Sequence, residues 1–288
     1  MRAQHRELVR MALNKALEVR EAADFDDESP ICIYKLCEKM NVSVQFAAIA
    51  SMEGMYVAGV PPKICLSSLR PLGRRTFTCG HELGHHVFGH GSSIDELRKE
   101  DGSNPTFNPD EFLVNAFAGF ILMPQVGVRN AFRVRGWDID VASPAQVFTV
   151  ACHFGVGYET LANHLCYSIK EISSTWLHEL ERTNLASIRR LLLGHVSDRP
   201  LIVADRYYQS PTLDVEVGTQ ILMPAGVVAD SPNLSQLEDH LEGRLFQAEK
   251  PGIVRVHDPR SSWAIIIRTA RFQYAGLAKY RHVEEDNE

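Results

Sequence analysis

Between Glu111 and Pro124 the chain reads Phe-Leu-Val-Asn-Ala-Phe-Ala-Gly-Phe-Ile-Leu-Met, with Asn115 as the one polar side chain. A helix over Pro109 to Met123 with that content has no face to give to water, so other elements must surround it nearly all round. It is also too short for the roughly 20 apolar residues that cross a bilayer, and no other apolar stretch comes near that length. Membrane spanning is thereby excluded, and a globular, water-soluble chain is expected.

A length of 288 residues suits two or three domains around such cores. Lys and Arg total 30 against 36 Asp and Glu, a formal net charge of -6. That balance argues against a protein held on phosphate backbones by bulk attraction. Six cysteines (Cys32, Cys37, Cys65, Cys79, Cys152, Cys166) lie in apolar surroundings without C-x-x-C spacing, which reads as small core residues rather than a zinc knuckle or redox pair. The first residues lack the apolar stretch of a secretion signal, so a cytoplasmic, reducing compartment is expected.

Apolar positions at helical spacing predict an amphipathic helix over 2–23. Ser29-Pro30 is the expected cap and first residue of a second helix reaching Met40. Strands are expected at 42–50 and 63–67, separated by Gly54, Gly59 and Pro61-Pro62. A helix follows over Arg74 to His90, then a solvated excursion from Gly91 to Asn108. Ser143-Pro144 opens a helix to His153, Gly155-Val156-Gly157 turns the chain, and Tyr158 to Ile169 is helical, giving helix-turn-helix proportions. After a further helical stretch over Ser174 to Leu193, short apolar runs between Pro and Gly predict a strand-rich domain, with an acidic tail after Val283.

On the helix over 74–90, Phe77, His81, Gly84, His85 and Phe88 recur at steps of three and four and form an inward stripe. His81-Glu82-Leu83-Gly84-His85 is H-E-x-x-H. Histidines one helical turn apart can present two imidazole nitrogens to one metal ion, and the glutamate between them projects near a metal-bound water. Helical rotation turns His86 and His90 off the stripe, which disfavours a three-histidine site. Glu111 is the better third ligand. It opens the buried helix and shares a face with Asn115, which is placed to hydrogen-bond the second nitrogen of a ligating histidine. Asn108-Pro109-Asp110-Glu111 is equally a capping-box pattern, and Asp110 and the Asp95 to Asp101 run are weaker ligand candidates.

Two histidines, one carboxylate and an open position suit catalytic zinc better than a closed structural site. Glu82 is then the general base that takes a proton from the attacking water and returns it to the leaving amine. The strand at 63–67 is expected to hold an extended substrate by backbone pairing. His153 and Tyr158 are the candidates for further oxyanion stabilisation.

Arg75-Thr76-Phe77-Thr78-Cys79-Gly80-His81-Glu82-Leu83-Gly84-His85, with Glu111-Phe112-Leu113-Val114-Asn115-Ala116-Phe117-Ala118 and Ile121-Leu122-Met123-Pro124, resembles the ImmA/IrrE family of metallopeptidases over roughly residues 30 to 170. A frequent form of that family's second motif is Glu-x-Glu-Ala-Asn. Here Leu113 and Val114 replace its second glutamate and alanine. The longer chain resembles the radiation-response members of the family. That resemblance implies an α+β fold in three parts: a thermolysin-like minimal zinc-peptidase domain over 1–140, a helix-turn-helix segment over 141–195, and a GAF-like α/β sensor domain over 196–288. It implies His81, His85 and Glu111 as zinc ligands and Glu82 as catalytic base. The activity it implies is cleavage of a helix-turn-helix repressor of the XRE type, inducing genes of the DNA-damage and radiation response. The C-terminal domain is expected to regulate the peptidase or position its substrate, with an unknown small molecule as a ligand to consider.

The alternative is a DNA-binding transcriptional activator in which 144–169 reads an operator and the metal is structural. Recognition helices offer Arg, Lys, Asn or Gln to bases and phosphates. Tyr158 to Tyr167 has no Lys or Arg and carries Glu159, so DNA is not the expected partner of this segment.

Overall fold

A computed structural model describes residues 2–96, 107–240 and 243–283. The charged run beyond Glu96 and the acidic tail after Val283 lie outside the described residues. The chain divides into two compact units, Met1–Val128 with Ala275–Lys279, and Arg129–Tyr274 with Tyr280–Glu288. Elements of both kinds make it a mixed α+β protein.

In the first unit α1 (Arg2–Ala22) lies against the apolar helix, with Ala12, Ala16 and Val19 buried. Arg20, only 1% exposed, ends its inward face. Its guanidinium donates to the backbone oxygens of Asp26, Ser29 and Ile121, so one side chain satisfies carbonyls from the following loop and from the far end of the buried helix. This clamp changes the expected start of the next helix. Ser29 gives its N–H to Asp26 Oδ1 and its carbonyl to Arg20, and α2 (Ile33–Lys39) begins after Cys32, without a side-chain cap.

Strands β1 (Ser43–Ala47), β2 (Met52–Val57) and β3 (Lys63–Ser67) follow. The segment around Gly54, expected as punctuation between strands, is itself β2. Helix α3 (Leu72–Phe88) comes next, then β4 (Ser93–Glu96) and α4 (Pro109–Leu122). In the sheet β3 lies between β1, to which it is parallel, and β2, which pairs antiparallel with both β3 and β4. The two-residue strand Gly276–Leu277 closes the far side by pairing with β1 at Gln45 and Phe46. With a neighbour on each side, β3 cannot take an added strand, which corrects its expected role in holding substrate. Among the described strands of this sheet, β4 is the edge on the β2 side.

α4 is buried as its composition demands: Leu113, Val114 and every residue from Ala116 to Leu122 are inside. No single described helix is long and apolar enough to cross a membrane. Its partner α3 approaches closely because Gly80 and Gly84 face it. A Cβ at Gly84 would lie 2.8 Å from Val114 Cβ, closer than side chains pack, and one at Gly80 would just touch Ala118 and Leu122.

The unit boundary falls within α5 (Gln125–Arg133). In the second unit α6 (Pro144–His153) carries the full capping box of Ser143 and Gln146. α7 (Tyr158–Asn163) runs on into a π turn over His164–Ser168, and α8 (Ser174–Glu181) and α9 (Leu185–Leu193) complete the helices. Trp176 Nε1 donates to the Ala142 carbonyl and Tyr158 Oη to that of Leu180, tying the helices together.

Beyond Leu193 the described residues of this unit hold strands and no α-helix. β5 (Leu201–Val203), β6 (Thr212–Glu216), β7 (Gln220–Met223), β8 (Val228–Ala229), β9 (Leu234–His240), β10 (Gly243–Ala248), β11 (Gly252–His257) and β12 (Ala264–Ala270) form two four-stranded sheets, β5-β7-β10-β9 and β6-β12-β11-β8. Ile221, Met223 and Phe246 from one sheet meet Val215, Val254, Ile265 and Ile267 from the other in a shared core. The α/β content expected of this region is therefore not seen. One face of each sheet is buried against the other, and the outer face of β5-β7-β10 also buries Leu201, Val203, Leu222 and Leu245, with α6 meeting β5.

Candidate metal centre

α3 and α4 bring the expected ligands together. His81 Nε2 and His85 Nε2 lie 3.2 Å apart, Glu111 Oε2 is 3.5 Å from the first, and Glu111 Oε1 is 3.6 Å from the second. An ion about 2.0–2.2 Å from each of three tetrahedral donors would place those donors roughly 3.3–3.6 Å from one another. The spacing and the donor chemistry thus fit one divalent cation, and among the described residues this is the one such group of three.

Local sequence explains the arrangement. Steps of four on a helix align the two imidazoles, and the missing side chains at Gly80 and Gly84 let α4 come near enough for its first turn to reach them. Asn108 caps α4 by accepting from Asp110 N and Glu111 N, so half of the capping box forms. The Glu111 side chain is turned to the histidines instead.

Each histidine is also held on its far nitrogen. His81 Nδ1 is 3.0 Å from Asn115 Oδ1, as the shared face with Glu111 predicts. His85 Nδ1 is 3.2 Å from His90 Nδ1, which sequence reasoning had turned away. α3 stops at Phe88, Gly89 takes the left-handed conformation, and the chain folds back. His86 does point elsewhere, with its Nδ1 2.8 Å from Tyr56 Oη. Burial, with His81 and His90 beside it, lowers the pKa of His85 to about 4, so the imidazole is neutral at pH 7.

Glu82 is fully buried, and Ser93 Oγ donates to its Oε2 at 2.9 Å. On the other side is Gly54, where a Cβ would lie 2.5 Å from Thr78 Cγ2 and 2.8 Å from Glu82 Oε1. The carboxylate therefore occupies space that only glycine leaves at that point of β2. Neither contact was readable from sequence: Ser93 sits in a segment that reads as solvated loop, and Gly54 in one that reads as a turn.

The two oxyanion candidates are committed elsewhere. Burial raises the Tyr158 hydroxyl to about 12, and it donates to Leu180 O. His153 is buried against Phe154 and Tyr208 within the second unit. Neither offers the accessible donor that role needs.

Residues 37–165 match the family described as IrrE N-terminal-like domain, Peptidase_M78. The chain carries an IrrE N-terminal-like domain. Its resemblance to the ImmA/IrrE family is borne out over nearly the range the motifs suggested, and the domain is of a metallopeptidase type with a His-His-Glu group able to bind a metal. No curated protein matches the chain. A solved structure, a Mycobacterium tuberculosis transcriptional regulator, is similar at 17% identity over 58% of this chain and 47% of that one, with a TM-score of 0.32. The chain thus spans about half the length of that protein.

Proposed function

We propose that the IrrE-like domain is a zinc-dependent endopeptidase and that its substrate is a helix-turn-helix repressor of the XRE type, whose cleavage induces genes of the DNA-damage and radiation response. The observation that carries the peptidase reading is the convergence of His81, His85 and Glu111 beside a buried Glu82. Two imidazoles and one carboxylate are a donor set for zinc with a position left for water or substrate. Bound there, zinc would acidify a water and polarise a peptide carbonyl.

The chain's own residues supply the rest. Asn115 accepts from His81 Nδ1–H, which leaves the Nε2 lone pair facing Glu111. Ser93 and the space at Gly54 hold the Glu82 carboxylate in one orientation. Glu82 takes up the proton of the attacking water and returns it to the leaving amine. A peptide positioned at edge strand β4 would run beside the residue that holds Glu82.

The reading divides the chain into a peptidase domain over 1–140, a helix-turn-helix segment over 141–195 and a regulatory domain over 196–288. The last is assigned a role in sensing a small molecule or placing the substrate. Of α7 and its π turn, Glu159, Asn163 and Tyr167 are exposed and none is cationic, which supports a protein rather than a DNA partner. All six cysteines are free thiols, which suits a reducing cytoplasm.

The test is incubation of the purified chain with candidate repressors, with zinc and then with chelator, reading fragment masses. Zinc-dependent fragments are expected from the wild type. Glu82→Gln should cut at least about 100-fold more slowly while keeping fold and zinc affinity. Equal cleavage by that variant would remove the peptidase reading.

A further inference from the structure

The contact between His85 and His90 has a consequence for where protons sit. Two neutral imidazole nitrogens 3.2 Å apart hydrogen-bond only if one of them carries a hydrogen. His85 Nε2 faces His81 and Glu111, so holding an ion there requires that nitrogen to be bare and its proton to be on Nδ1. His90 Nδ1 must then be the acceptor, and the His90 proton must be on Nε2. That nitrogen faces Asp110 Oδ1 at 3.9 Å, beyond a direct hydrogen bond but close enough for the carboxylate to favour the Nε2–H form.

The placement is built rather than incidental. His90 N donates to His85 O at 3.1 Å and Gly89 stands at φ 70°, a closure that returns the chain over the last turn of α3. Phe88 stacks on the His90 ring at 5.8 Å and 21°, and Phe88 in turn meets Phe117 of α4 edge-on. The ring of His90 is thus fixed by the same two helices that form the candidate centre.

We propose that His90, with its tautomer set by Asp110, is the positioning residue for His85: it accepts the Nδ1–H and fixes the ring with its Nε2 lone pair on the ion, the counterpart of Asn115 on His81. This rests on the reading of His81, His85 and Glu111 as a metal site. An outer partner of this kind affects metal affinity by roughly 10–100-fold.

The experiment uses the full chain in two arms. In the zinc-loaded 15N-labelled protein, long-range imidazole correlations should show His90 as the Nε2–H tautomer and His85 with its proton on Nδ1. In zinc titration against a chelating competitor, His90→Ala should bind about 10–100-fold more weakly, with a shifted absorption band when cobalt replaces zinc. His90→Gln, whose amide oxygen can accept the same hydrogen, should recover most of the affinity. Should His90→Ala not fold, Asp110→Asn at the exposed end of the relay carries the test, with an expected loss of at least about threefold. A wild type that binds zinc while these variants bind within twofold of it, or a His90 found as the Nδ1–H tautomer, would overturn this inference alone. A wild type that binds no zinc overturns the metal reading and this inference together.

Discussion

At the scale of single residues, burial determines which groups hold a charge. His153 is 2% exposed, and burial together with the nearby Arg135 lowers its pKa to about 3 from an ordinary value near 6.5. A neutral histidine of this kind adds stability that is fully present above about pH 6.5. The contribution is lost as the pH falls toward about 3, because the unfolded chain takes up the proton first. His153→Phe should therefore flatten the acid side of the stability curve. Relative to the wild type, its loss of stability between pH 7 and pH 4 should be smaller by roughly 1–3 kcal/mol in urea melts, and parallel curves would count against this account. The H-E-x-x-H residues were legible because helical spacing alone puts His81 and His85 on one face. His90 was not, because its position depends on a left-handed turn at Gly89 that ends the helix one residue before helical rotation would have carried it away.

At the scale of elements, the site depends on how closely α3 and α4 approach. Gly84 lies where an added Cβ would be 2.8 Å from Val114 Cβ and 3.2 Å from Val114 Cα, and a backbone atom cannot yield as a flexible side chain can. Gly84→Ala should push α4 outward and carry Glu111 with it. Overpacking costs about 1–3 kcal/mol, offset in part by about 0.5–1 kcal/mol from replacing a helical glycine. Thermal stability should therefore fall modestly while zinc affinity drops at least about tenfold, since Glu111 rides on the displaced helix. A melting point and affinity both unchanged would show that α4 can accommodate the methyl in place. Most of the helices were readable from periodicity and caps, but α5 was not, and the one helical stretch expected over Ser174 to Leu193 is two helices, α8 and α9. Strand neighbours were not: β3 has the composition of a strand but nothing in its residues says that β1 and β2 occupy both its edges. The start of α2 was misplaced for a related reason, since the Arg20 clamp on Ser29 comes from a helix earlier in the chain.

At the scale of the whole molecule, the ends of the chain are not confined to one unit. Ala275–Lys279 belongs to the first unit, where Gly276 and Leu277 pair with Phe46 and Gln45 and Ala278 is buried. The tail after it returns to the second unit, where Arg281 and His282 join Arg268 around Asp214. Burial opposes that carboxylate's charge, but His282, Arg281 and Arg268 together hold it well below the usual carboxylate range. A chain ending at Asp198 therefore loses a strand of the first sheet as well as the sandwich. Its first unit should melt lower by an amount on the order of 1–3 kcal/mol in stability, and identical unfolding of that unit in the two chains would contradict the role given to Gly276–Leu277. The sequence by itself determined the local features: which helix had to be buried, which histidines share a face, and that the last third is made of strands. These follow from spacing and from the free energy of burying apolar surface, which act over a few turns of chain. Tertiary structure alone decided which strands have free edges, that Ser93 and Gly54 hold Glu82, that His90 stands behind His85, and that the C-terminal segment completes the first sheet. Each of these is a meeting of groups distant in the chain, or beyond a helix end, and is fixed by packing that local propensities do not encode.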